Sequence, residues 1–171
     1  MMYKKKIQWL LLVLGIALNG CTISYKFNGS SIDYTTTSTI SISTFPNLAP
    51  LVYGPLSQIL TEELKDIYIR QTRLQVVSDN GDLDLEGEIT GYSEAPMAIM
   101  EDAYSSKTKL TMTVKVRFSN RNKADDDFEQ SFSAFREYDS NVNLSSIESE
   151  LCTDLVKEIT EQIYNATVAK W

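Results

Sequence analysis

The side chains able to do chemistry in this chain are carboxylates, a few cations and two cysteines, and there is no histidine. The commonest general base and the commonest neutral metal ligand are therefore missing. Glu86 and Glu88 resemble a hydrolytic pair in isolation, but their i, i+2 spacing on a strand sets both on one open face, where nothing perturbs either. Asp125-Asp126-Asp127 lacks the glycine and glutamate of a calcium loop and reads as a solvated acidic turn. No glycine-rich phosphate cradle precedes a helix, and one mature thiol cannot build a zinc site, so neither metal nor cofactor is expected. Cys152 falls among Leu151, Leu155, Val156 and Ile159 at helical spacing, as a small buried apolar residue would. The remaining candidates are Lys109, Lys115 and Arg117, which share the outer face of one alternating strand. Cations about 7 Å apart could meet phosphates through charge-assisted hydrogen bonds. The reading that the acidic composition favours is that they neutralise their own sheet: if Ser119 faces Asp127, Arg117 falls opposite Glu129, while Glu86 and Glu88 flank Lys115 or Lys109.

Cys21 is the other reactive position. Lys4-Lys5-Lys6 makes a basic start, Ile7 to Leu18 is an uncharged and mostly apolar run, and Leu18-Asn19-Gly20-Cys21 follows. The run is short for a membrane-spanning helix and fits a secretory signal. Its end resembles a lipobox, in which a small residue precedes a cysteine whose thiol is acylated before cleavage. Residues 1–20 are then the signal peptide, 21–36 a lipidated tether rich in Ser, Thr, Tyr and Asn, and 37–171 a folded domain. The three lysines leave with the signal, so 13 basic residues face 23 acidic ones in the mature chain, a formal −10. That balance argues against nucleic acid as a partner, because neutralising phosphates needs a basic patch. With Cys21 acylated, Cys152 has no internal partner, and the fold must hold by packing alone.

The elements that position these residues follow from periodicity. Thr39 to Thr44 alternates as a strand, ended by Phe45-Pro46-Asn47. A helix runs from Pro55 with Leu56, Leu60, Leu64 and Ile67 on one face. A short strand at 73–77 leads through Asp79-Asn80-Gly81-Asp82 to a strand with Leu83, Leu85, Gly87 and Ile89 on one side. The clearest strand places Leu110, Met112, Val114, Val116 and Phe118 inward, and a last one offers Phe128, Phe132 and Ala134. Ser145 and Glu148 form a capping box for a final helix with Leu151, Leu155, Ile159, Ile163 and Ala166 as its stripe. The order β-α-β-β-β-β-α predicts an α+β fold, two helices packed on one face of a single mixed, mostly antiparallel β-sheet. Ser93 to Ser106 is expected as a long connection whose Met97, Ile99 and Met100 are more apolar than solvent requires, a candidate partner-contact loop or one packed on its own domain.

Several segments together carry a resemblance: Phe45-Pro46-Asn47, Ala49-Pro50-Leu51-Val52, Leu56-Ser57-Gln58 with Thr61-Glu62-Glu63-Leu64-Lys65-Asp66, Gln71-Thr72-Arg73-Leu74, Asn80-Gly81-Asp82-Leu83, Glu86-Gly87-Glu88-Ile89-Thr90-Gly91-Tyr92, Thr113-Val114-Lys115-Val116-Arg117-Phe118 and Phe128-Glu129-Gln130-Ser131-Phe132. In this order they resemble the LptE family of lipopolysaccharide-assembly lipoproteins. The resemblance implies a non-enzymatic subunit beneath and inside an LptD-type outer-membrane β-barrel, assisting its assembly and the delivery of lipopolysaccharide. The chain departs from better-known members in lacking an extended basic patch free of acids, so no lipid-binding residue carries over from them; because lipopolysaccharide is anionic, the strand's own cations Lys109, Lys115 and Arg117 are the candidate lipopolysaccharide contacts. The expected location is the outer membrane, lipid-anchored and periplasm-facing, since Thr22-Ile23-Ser24-Tyr25 carries no acidic cluster. A subunit of another envelope machine is the alternative, and a lipid-modifying enzyme a third, for which the sequence offers no cleft with converging polar groups.

Overall fold

The computed structural model describes residues 32–97 and 106–168. Strand β1 is Thr39–Ile42, helix α1 Leu56–Gln71, β2 Gln75–Val77, β3 Leu83–Pro96, β4 Lys107–Asn120, β5 Phe128–Asp139 and helix α2 Leu144–Thr167, with one turn of 3-10 helix at Ala124–Asp126. The sheet order is β2-β1-β3-β4-β5. β1 is parallel to both its neighbours, while the longer β3–β4 and β4–β5 ladders are antiparallel. The α+β arrangement follows the expectation, because the inward residues of every long strand and the stripes of both helices close one core. Leu60, Leu64, Leu85, Val114, Leu155 and Ile159 are completely buried in it.

Four local expectations are corrected. The alternation of β3 does not run through: a register shift between Ile89 and Gly91 leaves Thr90 unpaired, so Tyr92 turns inward opposite Met112. Tyr92 is 1 % exposed. The connection expected from Ser93 is shorter, since pairing continues to Pro96 opposite Thr108. The capping box at Ser145 and Glu148 does not form. Asn143 caps α2 instead, its Oδ1 accepting from the Ser145 N–H at 3.1 Å, and Glu148 is drawn away to accept from the Tyr92 hydroxyl at 2.8 Å. β5 also outruns the expected strand, continuing past Ala134 to Asp139.

Turn and clasp chemistry fix the shorter strands. Asn80 takes φ 58°, a left-handed conformation that asparagine tolerates, at the turn before β3. Next to it, Asp82 Oδ2 accepts from the Ser38 N–H at 2.8 Å, the Thr39 N–H at 3.0 Å and the Thr39 hydroxyl at 2.9 Å. These bonds tie the entry of β1 to β3. Backbone donation from Ser38, with the Thr39 hydroxyl next, holds the Asp82 carboxyl below its ordinary range. A depressed carboxylate stabilises the fold above its unfolded pKa, and that contribution fades as pH falls through the lower folded value. Asp82→Asn is therefore expected to lower the urea midpoint at neutral pH, with parent and variant converging under acid. A constant gap down to strong acid would contradict this.

The hairpin of β3 and β4 sets the long axis, about 45 Å at 3.3 Å per residue. Ile40 pairs with Leu83 at one end, and Lys107 with Asp139 at the other. The chain enters at the first end, where the Thr36 carbonyl accepts from Asn122 Nδ2 at 2.7 Å.

Candidate functional site

The outer sheet face brings the expected cations and carboxylates into register. Arg117 lies between Glu86 on β3 and Glu129 on β5, and Lys115 between Glu88 and Ser131. The Lys115 ammonium bonds the Glu129 carboxylate, while Arg117 stands 3.6 Å from Glu129 and 3.8 Å from Glu86. The hydrogen bond from Lys115 lowers the Glu129 pKa, and the same bond raises that of Lys115. All four groups are about half exposed, where solvent screens such pairs and each contributes little to stability. A shallow depression of about 270 Å³ lies over them, reaching Ser43 and Thr44. With Glu86, Glu88 and Glu129 against Lys115 and Arg117, its charge is net negative. An anion there has to displace a carboxylate that already holds the donors.

Lys109 stands apart from this group. It pairs with Ala95 and Glu137 across the sheet, and its ammonium lies 5.4 Å from the centroid of the Phe135 ring. The structure thus brings Lys115 and Arg117 together and leaves Lys109 on a separate aromatic contact, which sequence reading missed because it ended the last strand before Phe135.

At the hairpin-tip end, Met97 is 36 % exposed and its N–H bonds the Lys107 carbonyl at 2.9 Å. Ile99 and Met100 lie outside the described residues, as does Cys21. The segment after β1 runs toward the same end, because Asn47 bridges Ile89. It carries Leu48, Leu51 and Val52, exposed by 62 %, 41 % and 67 %. No candidate was placed on them from sequence, although an uncharged stretch from Tyr34 to Thr61 was the available signal.

The other chemical candidates resolve as structure. Cys152 is fully buried, its sulfur 3.2 Å from the Tyr92 hydroxyl, and desolvation raises its pKa away from thiolate chemistry. Asp126 accepts from Lys123 Nζ at 2.8 Å and Asp127 from the Asn120 N–H at 2.6 Å, so two carboxylates of the acidic run serve the β4–β5 turn. Among the described residues, no three His, Cys, Asp or Glu side chains are grouped to hold a metal ion, and no helix is long and apolar enough to cross a membrane.

Comparison with known proteins bears on the whole domain. The family model described as "LptE: Lipopolysaccharide-assembly" matches residues 37–167. No curated protein matches in sequence. Among solved structures, the hypothetical protein CT253 from Chlamydia trachomatis aligns at TM-score 0.51 and 9 % identity, over 77 % of this chain and 98 % of that one. A minor lipoprotein from Acinetobacter baumannii aligns at TM-score 0.49 and 18 % identity, over 74 % of this chain and 89 % of that one. Lipoprotein B from Nitrosomonas europaea aligns at 0.47 and 15 %, over 74 % and 79 %. At these identities only the first carries an argument, and that argument concerns the fold alone.

Proposed function

This chain belongs to the LptE lipopolysaccharide-assembly family, and from that membership we propose that it is a non-enzymatic lipoprotein subunit of the outer membrane. In this reading Cys21 carries the acyl anchor, the domain faces the periplasm, and an LptD-type β-barrel is the partner whose assembly and lipopolysaccharide delivery it assists. The observation that carries the proposal is the family match across residues 37–167, which takes in every strand and both helices. Purification of the native protein in mild detergent tests it. A stoichiometric β-barrel that stays bound is the expected result, and a different envelope complex in its place would overturn the barrel assignment.

Two sites within this reading can be tested separately. Lipopolysaccharide is anionic, and Lys115 and Arg117 are the cations grouped on the open sheet face. If they contact it, Lys115→Gln with Arg117→Gln weakens binding of purified lipopolysaccharide at low ionic strength, where electrostatic losses are largest. The intrasheet pairs described above favour the other outcome. We expect unchanged binding and almost no shift in the urea midpoint, because both cations already serve the sheet's own carboxylates and the pairs are solvent-screened. A clear loss of binding would return the pair to lipid contact. At the tip, Met97→Asp combined with Ile99→Asp is expected to reduce barrel copurification with the fold intact, since burying an unpaired carboxylate in an apolar contact is costly. Undiminished copurification would remove the loop from the interface.

A further inference from the structure

We propose that the free edge of β5 is a docking site for an extended, basic segment of a protein partner, taken up as a sixth strand of the sheet. β5 ends the strand order and, among the described residues, pairs only with β4. In an antiparallel pair, alternate residues turn their N–H and C=O groups toward the neighbour and the rest turn them away. The Ser133 carbonyl accepts from Gln162 Nε2 at 3.5 Å and the Phe135 carbonyl from Arg136 Nη1 at 2.9 Å, so the odd-numbered residues face outward. Among the described residues, nothing bonds the N–H or C=O of Ser131.

Edges of this kind are normally blunted by proline, lysine, a bulge or shortness. β5 has twelve residues, neither proline nor lysine, no register shift against β4, and six consecutive uncharged residues from Gln130 to Phe135. Its flank is acidic. Arg136 reaches Glu158 at 2.5 Å and the Asp154 carbonyl at 3.1 Å, which lays one stripe of α2 along the edge. That stripe continues at helical spacing to Glu150 and Glu161, both exposed. A second copy of the chain would bring the same acids against their equivalents, and pairing Ser133 with its own mate would oppose Glu129 to Glu137. A strand carrying Lys or Arg at alternate positions meets no such penalty. Its backbone meets the free groups of Ser131 and takes the place of the Gln162 and Arg136 side chains at the Ser133 and Phe135 carbonyls, while its side chains face the α2 stripe.

The proposal rests on the function above only for the partner's identity. A test uses the mature chain and a synthetic peptide of alternating lysine and valine, with a glutamate-for-lysine peptide as control, read by residue-resolved amide exchange. The basic peptide is expected to slow exchange at Ser131 and Ser133 by about tenfold, and the acidic one to leave it unchanged. Ser131→Pro, tolerated at an outward-facing edge position, is expected to weaken peptide binding about tenfold. Unchanged exchange at these amides in the unmutated chain, or equal binding of both peptides, overturns the proposal. In the copurified barrel complex, slow exchange of the same amides assigns the edge to the barrel. A bound barrel with fast exchange there keeps the proposed function and overturns the edge as its docking site. Absence of any barrel is a failure of the proposed function alone, and the peptide experiment then decides the edge.

Discussion

Gly87→Val is expected to destabilise the domain by about 3 kcal/mol, the upper end of what overpacking a filled core costs. A Cβ at this position would stand 2.3 Å from the Lys115 carbonyl oxygen and 2.5 Å from Phe45 Cε1. Neither neighbour can give way. The first is backbone of β4, which is hydrogen-bonded on both sides. The second belongs to the fully buried Phe45, whose backbone N–H donates to Thr61 Oγ1 at 3.1 Å and whose backbone carbonyl accepts from Ser57 Oγ at 2.6 Å. The side chain must either expel Phe45 from the core or part β3 from β4. Against a typical net stability of about 5–15 kcal/mol, the loss should be plain as a lowered midpoint in urea. A variant as stable as its parent would mean that the segment 43–47 can move aside freely.

Cys21→Ala should have the largest effect on location and almost none on the fold. If Cys21 carries the proposed acyl chains, each buried methylene contributes about 0.8 kcal/mol to membrane attachment, and no described helix would replace it. The protein is expected to shift from the membrane fraction to a precursor or a soluble periplasmic form, with the circular dichroism of the domain unchanged. Continued sedimentation of a processed variant with membranes in the absence of its partner would show a second anchor. Protease added to intact cells checks orientation: the lipidated protein should resist digestion as periplasmic controls do, and efficient digestion would place it on the outer surface.

Where one residue type repeats at a regular spacing, the architecture could be read directly. Leu110 through Phe118 and the α2 stripe each declare a buried face, and the opposition of Arg117 to Glu129 follows from a single assumed turn. What was hidden depends on contacts between distant residues. The extra residue at Thr90 carries no mark of its own in the sequence, yet it reverses the facing of everything after it and brings Tyr92 to Cys152 and Glu148. That tertiary bond then takes Glu148 from its capping box, a local rule overridden by a partner 56 positions away. Gly87 fitted the inward side of its strand, but the reason for its missing side chain, the Phe45 ring, is visible only once β1 lies against β3. Of the candidate site, the pairing of Lys115 and Arg117 was legible and the separate fate of Lys109 was not, because Phe135 lay beyond the expected end of its strand.

The opposed positions of chain entry and hairpin tip also fix how the domain would carry tension. The segment leading from Cys21 joins the fold beside Asp33–Thr37, at the other end of the long axis from Met97. If Cys21 anchors the chain as proposed, a pull between it and anything gripping the tip draws β1 one way and β3 the other, along their length. Ladder bonds lie across that direction and share the load in shear, where a peeling force would part them one after another. The β1–β3 ladder spans only three pairs, so once past the Thr36–Asn122 bond the traction falls on the Asp82 carboxylate and its bonds to Ser38 and Thr39 before it reaches the ladder. Acid that protonates Asp82 would therefore slacken the fold at the point where a tethered domain is tugged.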